Sequence, residues 1–212
     1  MLITLEGVEG SGKSSQMTRL IKNMQHLPLV VSREPGGTPL GKEIRSLLLT
    51  SHSSGEVWCS MAELLLFYAD RAQHVETLVK PALATGKHVL LDRFNDSTWA
   101  YQGARGVPDE LLLQLAQLVL GDFKPDLTII LDIDPVDSLK RVAIRNNKPG
   151  EVFTETRFDN EVLEFHLKVR QRFLRLATRE PSRVALIDAT GTPDEVEAAI
   201  WQRVSSFLEG KP

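Results

Sequence analysis

The stretch GVEGSGKSS, residues 7 to 15, constrains this chain more than any other. The spacing G-x-x-x-x-G-K-[ST] is met by Gly7, Gly12, Lys13 and Ser14, directly after the apolar run LITL and at the opening of a helical pattern. Strand, loop and helix in that order make a phosphate cradle. Glycines let successive backbone N–H groups curl around phosphate oxygens where side chains would collide. The helix that follows points its positive end at the same anion. Gly7, Val8, Glu9, Gly10, Ser11, Gly12, Lys13 and Ser14 are therefore candidate nucleotide-binding positions. Lys13 is the cation for the β- and γ-phosphates, and the Ser14 hydroxyl is a candidate ligand for Mg²⁺.

Five short apolar runs, LITLEG, LVVSRE, HVLLDR, LTIILDID and VALIDATG, each end at polar or glycine residues. Runs apolar on both faces suit buried parallel strands. The helical patterns between them argue for an α/β fold, a right-handed βαβ sheet with helices on both faces. Ligands in such sheets sit at the carboxyl ends of the strands. Those ends carry Glu6-Gly7, Arg33-Glu34, Asp92-Arg93 and Asp132. A length of 212 residues suits one domain spanning 1–212, with one loop-like insertion at residues 145 to 157.

Composition narrows the partners. A net charge of −3 argues against nonspecific binding to a nucleic-acid polymer or a membrane surface, so the basic residues that matter are local. The single cysteine, Cys59, excludes an internal disulfide and reads as a small buried hydrophobe. The histidines show no zinc-ligand spacing. With no leader ahead of LITL and no run near the ~18 apolar residues of a membrane helix, a cytoplasmic location is expected.

The loop alone does not separate switches, motors and kinases. A guanine-reading N-K-x-D is absent: NNKPG, residues 146 to 150, supplies only its first half. HVLLDRF ends in Asp92 and Arg93 where a motor would carry two acids. Asp92 suits a carboxylate on the Mg²⁺ side, and Arg93 suits a second anionic group. Arg33, Arg45, Arg71 and Arg93 all fall at or just past the first three strands. Arginine matches phosphate with a planar, bidentate fork. Each taken singly also fits a solvated or salt-bridged surface position, but together they favour a phosphotransferase with an anionic acceptor.

The segments LEGVEGSGKSSQ, REPGGTPLGKEIRSLLL, ELLLFYADRAQHV, DRFNDSTWAYQG, KPDLTIILDIDP and RFDNEVLEFHLKVR closely resemble the thymidylate kinase family, along nearly the whole chain. REPGGT and DRFxxSxxAYQG in this order are far more specific than the phosphate loop. The resemblance implies a P-loop nucleoside-monophosphate-kinase fold, with a five-stranded parallel sheet flanked by helices, a mobile lid and a homodimer. It implies ATP as donor, Mg²⁺, and dTMP as acceptor. It places the dTMP site on Glu9, Arg45, Phe67, Arg71, Arg93, Ser97, Tyr101 and Gln102, and it implies a tight turn that makes Glu34-Pro35 a candidate for a cis bond. In this scheme Phe67 stacks on the pyrimidine, Arg71 and Gln102 read its polar edge, and Arg45 and Arg93 hold the 5′-phosphate. Glu9 takes the 3′-hydroxyl and Tyr101 crowds the 2′ carbon. Phe67 and Tyr68 also fit a plain core role on their apolar helix, Trp99 reads as packing, and His74 and Glu76, one turn on, read as surface residues.

Gly10 leaves the loop without the basic residue some members carry there, so the resemblance implies arginines from the lid, residues 145 to 157. Arg141, Arg145, Lys148 and Arg157 are available. Arg141 is counted with the ATP-binding positions, and Arg157 joins Lys13 and Arg93 as catalytic. A kinase of another pyrimidine nucleotide or deoxynucleoside, and a nucleotide-binding module without catalysis, are the alternatives. Arg45 with Arg93 opposes the nucleoside, and Lys13 with Ser14 and Asp92 opposes the inert module.

Overall fold

The structure, a computed structural model, describes residues 1–50, 52–146, 158 and 161–210. The chain opens with β1 (Leu2–Gly7), α1 (Lys13–Asn23), β2 (Leu29–Arg33) and α2 (Pro39–Leu49). Next comes α3 (Ser60–His74), which runs through a wider π turn at Val75–Val79 into α4 (Lys80–Ala84). There follow β3 (His88–Asp92), α5 (Asn95–Ala104), α6 (Asp109–Leu120), β4 (Leu127–Asp132) and α7 (Pro135–Asn146). The last elements are α8 (Leu163–Arg179), β5 (Val184–Asp188) and α9 (Pro193–Glu209). The five strands form one parallel sheet in the order β2-β3-β1-β4-β5. The expected α/β architecture and its strand count are therefore met.

The period of two along β1 builds two cores and the floor of the site. Ile3 and Leu5 join the larger core with Leu20, Leu64, Leu90 and Phe173. Leu2 faces the other way, into a cluster with Val75, Val79, Val89, Leu91 and Phe94. Thr4 and Glu6 share the parity of Leu2 but are polar, and both are fully buried. Thr4 shares a 2.8 Å hydrogen bond with Thr128, and Thr128 donates to Asp96, which Arg183 grips with two nitrogens. Such a network stands in a core only because its members satisfy one another.

The strand order places the site. β2 lies beyond β3 on one side of β1, and β4 lies on the other side, so the chain reverses its direction of growth at β1. A crevice opens above that reversal, at the carboxyl ends of the strands. The loop after β1 enters it, flanked by Asp92 at the end of β3 and Asp132 at the end of β4.

Two sequence expectations need correction here. Cys59 is exposed, because it precedes α3 in an exposed stretch instead of pointing inward. His74, read as a surface residue, is fully buried, since the last turn of α3 packs its ring against β2 and the turn after it.

Candidate active site

The loop is shaped by left-handed backbone at Gly10 (φ 74°) and Gly12 (φ 94°). At Gly10 there is a second constraint: a Cβ there would lie 2.1 Å from the Ser138 carbonyl oxygen on α7. Helix α7 therefore packs directly onto the loop, and a basic side chain at this position would collide with its backbone. At Gly12 a Cβ would meet nothing, so only the backbone angle asks for glycine. Gly12 is also the N-cap of α1, without a side-chain cap and with no acid in the first turn. The helix start presents bare N–H groups, the arrangement an anion uses. By contrast, α9 starts with a full capping box between Thr192 and Glu195.

Lys13 curls back over the loop, its Nζ donating to the carbonyls of Gly7 and Val8 at 2.9 Å each. Burial, with neighbouring Arg93, lowers its ammonium to about 8. Asp92 stands beside the loop with its Oδ1 buried and without a hydrogen-bond partner among the described residues. The Ser14 residue is exposed on the cavity wall.

Arg93 is a non-glycine residue with positive φ (68°), a sparsely populated conformation that surrounding contacts must hold. Those contacts are plain. Its Nη1 donates to the Gly7 carbonyl and to Ser97 Oγ, both at 3.1 Å, and its Nη2 pairs with Glu9 Oε1 at 2.7 Å. Its guanidinium also lies 4.8 Å from the centre of the Tyr101 ring. Burial opposes the charge of Arg93, but Tyr101, Glu9 and Asp92 outweigh it and hold the group above the usual arginine range. Glu9 in turn accepts from Tyr101 Oη at 2.5 Å. Burial pushes the Glu9 carboxyl up, yet Arg93, Lys13 and Tyr101 hold it below the usual carboxylate range.

Beneath this cluster lies Glu6, a residue the sequence marks only as a strand end. It accepts from the Phe94 amide at 2.7 Å and from the Ser97 hydroxyl. Burial, and then Asp96, raise its carboxyl to about 8. An acid within an otherwise apolar strand is the signal that finds it.

The far end of the cavity is organised by Arg71, which is almost wholly buried. Its Nε donates to Glu34 Oε2 at 2.8 Å and its Nη2 to the Phe94 carbonyl at 3.2 Å. Glu34 Oε1 is bonded to His74 Nδ1 at 2.9 Å, and His74 Nε2 to Ser32 Oγ at 2.8 Å. A chain Ser32–His74–Glu34–Arg71 thus crosses from β2 to α3. The Glu34-Pro35 bond, a candidate for cis geometry in the sequence, is cis. Asp70 Oδ1 receives the Gly36 amide at 3.0 Å, and burial raises this carboxyl to about 6. Arg45 Nη1 reaches the Pro35 carbonyl at 2.8 Å. Gln102 Nε2 is held by Glu63 at 2.8 Å.

One cavity of about 500 Å³ joins both ends. Of the sequence-named positions, Glu9, Gly10, Gly12, Lys13, Ser14, Arg45, Phe67, Arg71, Asp92, Arg93, Ser97, Tyr101, Gln102, Arg141 and Arg145 line it. Gly7, Val8 and Ser11 belong to the loop beneath. Phe67 is half-buried on the wall, whereas Tyr68 and Trp99 are in the core. Phe158, which the sequence reading does not name, also lines the cavity, edge-on to Tyr101 at 5.6 Å. Arg141 donates to the carbonyls of Ala189 and Thr190 past the end of β5. Arg145 and Asn146 end α7, while Lys148, Arg157 and the remainder of segment 145–157 lie outside the described residues. Among the described residues no three acidic, histidine or cysteine side chains gather to hold a metal, and no helix is long and apolar enough to cross a membrane.

Known proteins resemble this chain in sequence and fold. The family profile described as thymidylate kinase matches residues 5–200. A thymidylate kinase of Solidesulfovibrio magneticus is 46% identical over 211 residues, covering 98% of this chain and 100% of its own length. One of Desulfosudis oleivorans is 47% identical over 215 residues, covering 100% of this chain and 98% of its own. The crystal structure of thymidylate kinase from Ehrlichia chaffeensis superimposes with a TM-score of 0.76 at 32% identity, covering 97% of this chain and 98% of that one.

Proposed function

This chain belongs to the thymidylate kinase family, and on that premise we propose that it transfers the γ-phosphoryl group of ATP in line to the 5′-phosphate of dTMP, giving dTDP and ADP for dTTP synthesis. The observation that carries this reading is the single cavity with a phosphate loop at one end and the Arg71 chain at the other. The bond from Pγ to the β-bridging oxygen breaks as the bond from Pγ to an oxygen of the acceptor phosphate forms. A phosphate monoester is largely ionised at neutral pH, with its second pKa near about 6, so the attacking oxygen needs no general base. The site agrees: Glu9, the loop's own carboxylate, is engaged by Arg93 and Tyr101 and is not poised to take a proton.

What the reaction needs is charge neutralisation and alignment. Lys13 swings from the loop carbonyls to the donor phosphates. Arg93 and Arg45 hold the acceptor phosphate, and Ser97 fixes Arg93. Arg71 and Gln102 present donors to the carbonyl edge of thymine while Phe67 covers its face. Arg141, beside the Ala189–Thr190 turn, borders the nucleotide end. The Oδ1 of Asp92, buried and without a partner among the described residues, and the Ser14 hydroxyl fit an Mg²⁺ bound mainly through water and phosphate, the usual habit of this ion. Bound there, Mg²⁺ supplies further neutralisation of phosphate charge. Arg157 and the lid role of residues 145–157 rest on the resemblance alone, and the kcat of Arg157→Ala against Arg145→Ala tests them.

The chain works as a single kinase domain. A homodimer is supported by the exposed apolar side chains Leu40, Leu47, Met61 and Leu65 along the packed pair α2 and α3, a face suited to a second copy. Sedimentation of the chain tests that state. A cytoplasmic setting fits an enzyme of free nucleotides. The function itself is tested by ADP release with dTMP, dCMP, the ribose analogue of dTMP, and thymidine. The expected order has dTMP first and thymidine without turnover; equal rates with dTMP and thymidine would refute the reading.

A further inference from the structure

His166, on α8, is the buried polar group that the reading above leaves without a task. Its ring is fully buried, edge-on to Phe165 at 5.6 Å, and Phe165 in turn meets Tyr101 at 6.0 Å. Neither ring nitrogen has a hydrogen-bond partner among the described residues. An imidazole left this way loses its water bonds and gains nothing in return, where a leucine would fill the space without that cost. Its Nδ1 lies 3.9 Å from Glu9 Oε2. That gap is about 1 Å beyond hydrogen-bond length and too short for a well-angled bridging water.

Glu9 has room for the bond. Its Oε1 is taken by Arg93 and its Oε2 by Tyr101, and a carboxylate offers about four lone-pair sites. One site then remains on each oxygen: that on Oε1 serves the acceptor sugar, and that on Oε2 faces His166. The imidazole does not line the cavity, so it reaches substrate only through Glu9.

We propose that His166 is a positioning residue of the acceptor-sugar subsite, its Nδ1–H donating to Glu9 Oε2 in the substrate complex and fixing that carboxylate for the 3′-hydroxyl. The proposal rests on the reading of Glu9 as the 3′-hydroxyl partner. Arg93 and Tyr101 set two directions of the carboxylate, and His166 sets the third. Helix α8 thereby becomes part of sugar recognition, although none of its own residues lines the cavity.

The test is a cycle between variants and substrates, with kcat and KM measured for dTMP and for its 3′-deoxy analogue. His166→Leu is expected to lose about tenfold in kcat/KM for dTMP, mainly through the KM of dTMP. The KM of ATP should hold, and almost nothing should be lost with the 3′-deoxy analogue. His166→Asn, which keeps a donor near the Nδ1 position, restores most of the dTMP value; His166→Gln, which moves the donor to the Nε2 position, does not. Should the leucine variant fail to fold, the asparagine and glutamine pair carries the same comparison. Equal losses on both substrates, or equal rescue by Asn and Gln, overturn the proposal. Glu9→Gln separates the two layers. If its loss is confined to dTMP while that of His166→Leu is not, only the role of His166 falls. If Glu9→Gln loses equally on both substrates, the Glu9 reading is wrong and the proposal falls with it.

Discussion

The two ends of the cavity are built on opposite plans. At the base end most polar side chains are engaged with one another: Ser32, His74, Glu34 and Arg71 form one chain, and Gln102 is held by Glu63, while Asp70 Oδ2 alone of this group is buried without a partner among the described residues. At the phosphate end Lys13 rests on carbonyls of its own loop, and the oxygens Asp92 Oδ1 and Ser11 Oγ are buried without partners among the described residues. A closed network fixes donor directions and suits selection between similar bases. Charges and open oxygens gathered on strained backbone suit a group whose charge rises and falls during reaction. Selection and rate should therefore fail separately.

The largest effect is expected from Lys13→Ala. Loss of this donor should lower kcat by about 1,000-fold or more while thermal unfolding stays near wild type. A correctly folded variant with normal turnover would break the proposed division. Next comes Glu34→Gln, which leaves Arg71 buried beside a neutral partner. Removing one member of a buried pair costs about 3 kcal/mol or more, read as a lower melting temperature, and the KM for dTMP should rise with little change in kcat. Unchanged stability would show that the base end is not held by this pair.

A smaller effect separates the ends by pH. Lys13 at about 8 gives up its proton as pH rises through that value. kcat/KM for ATP, which reports the free enzyme, should then fall by up to about tenfold per unit above pH 8. Lys13→Arg should remove the fall. The smallest effect is expected at Asp70, whose folded carboxyl is raised to about 6. A raised acid pKa contributes stability that is full below the unfolded value near 3.8 and is lost as pH climbs through about 6. Asp70→Asn, still able to receive the Gly36 amide, should gain melting temperature over wild type at pH 8 and less at pH 4. An advantage that is the same at both values would remove this account.

The phosphate end is far more legible in sequence than the base end, and the reason is local. Gly7, Gly12, Lys13 and Ser14 are fixed by one turn of chain, so their spacing already states the backbone geometry. Strand ends are legible in the same way, which brings Asp92 and Arg93 into view together. The support of the base end is assembled across the fold: Glu34 meets residues 37 and 40 positions away. His74 follows the apolar stripe of α3 and looks exposed until β2 is laid against it. Cys59 fails for the opposite reason, since a hydrophobic residue type says nothing of a loop that leaves it in solvent. Arg71 and Gln102 are named by the family pattern, but that Glu34 and Glu63 anchor them is found only in the contacts.

The separation of rate from selection is tested most directly by the ratio of kcat/KM for dTMP to that for dCMP, measured for wild type, Lys13→Ala and Arg71→Gln. The ratio should survive in Lys13→Ala, where both rates fall together, and should drop by at least about tenfold in Arg71→Gln, where a base-reading donor fork is lost. A ratio that collapses in Lys13→Ala, or persists in Arg71→Gln, would contradict the account.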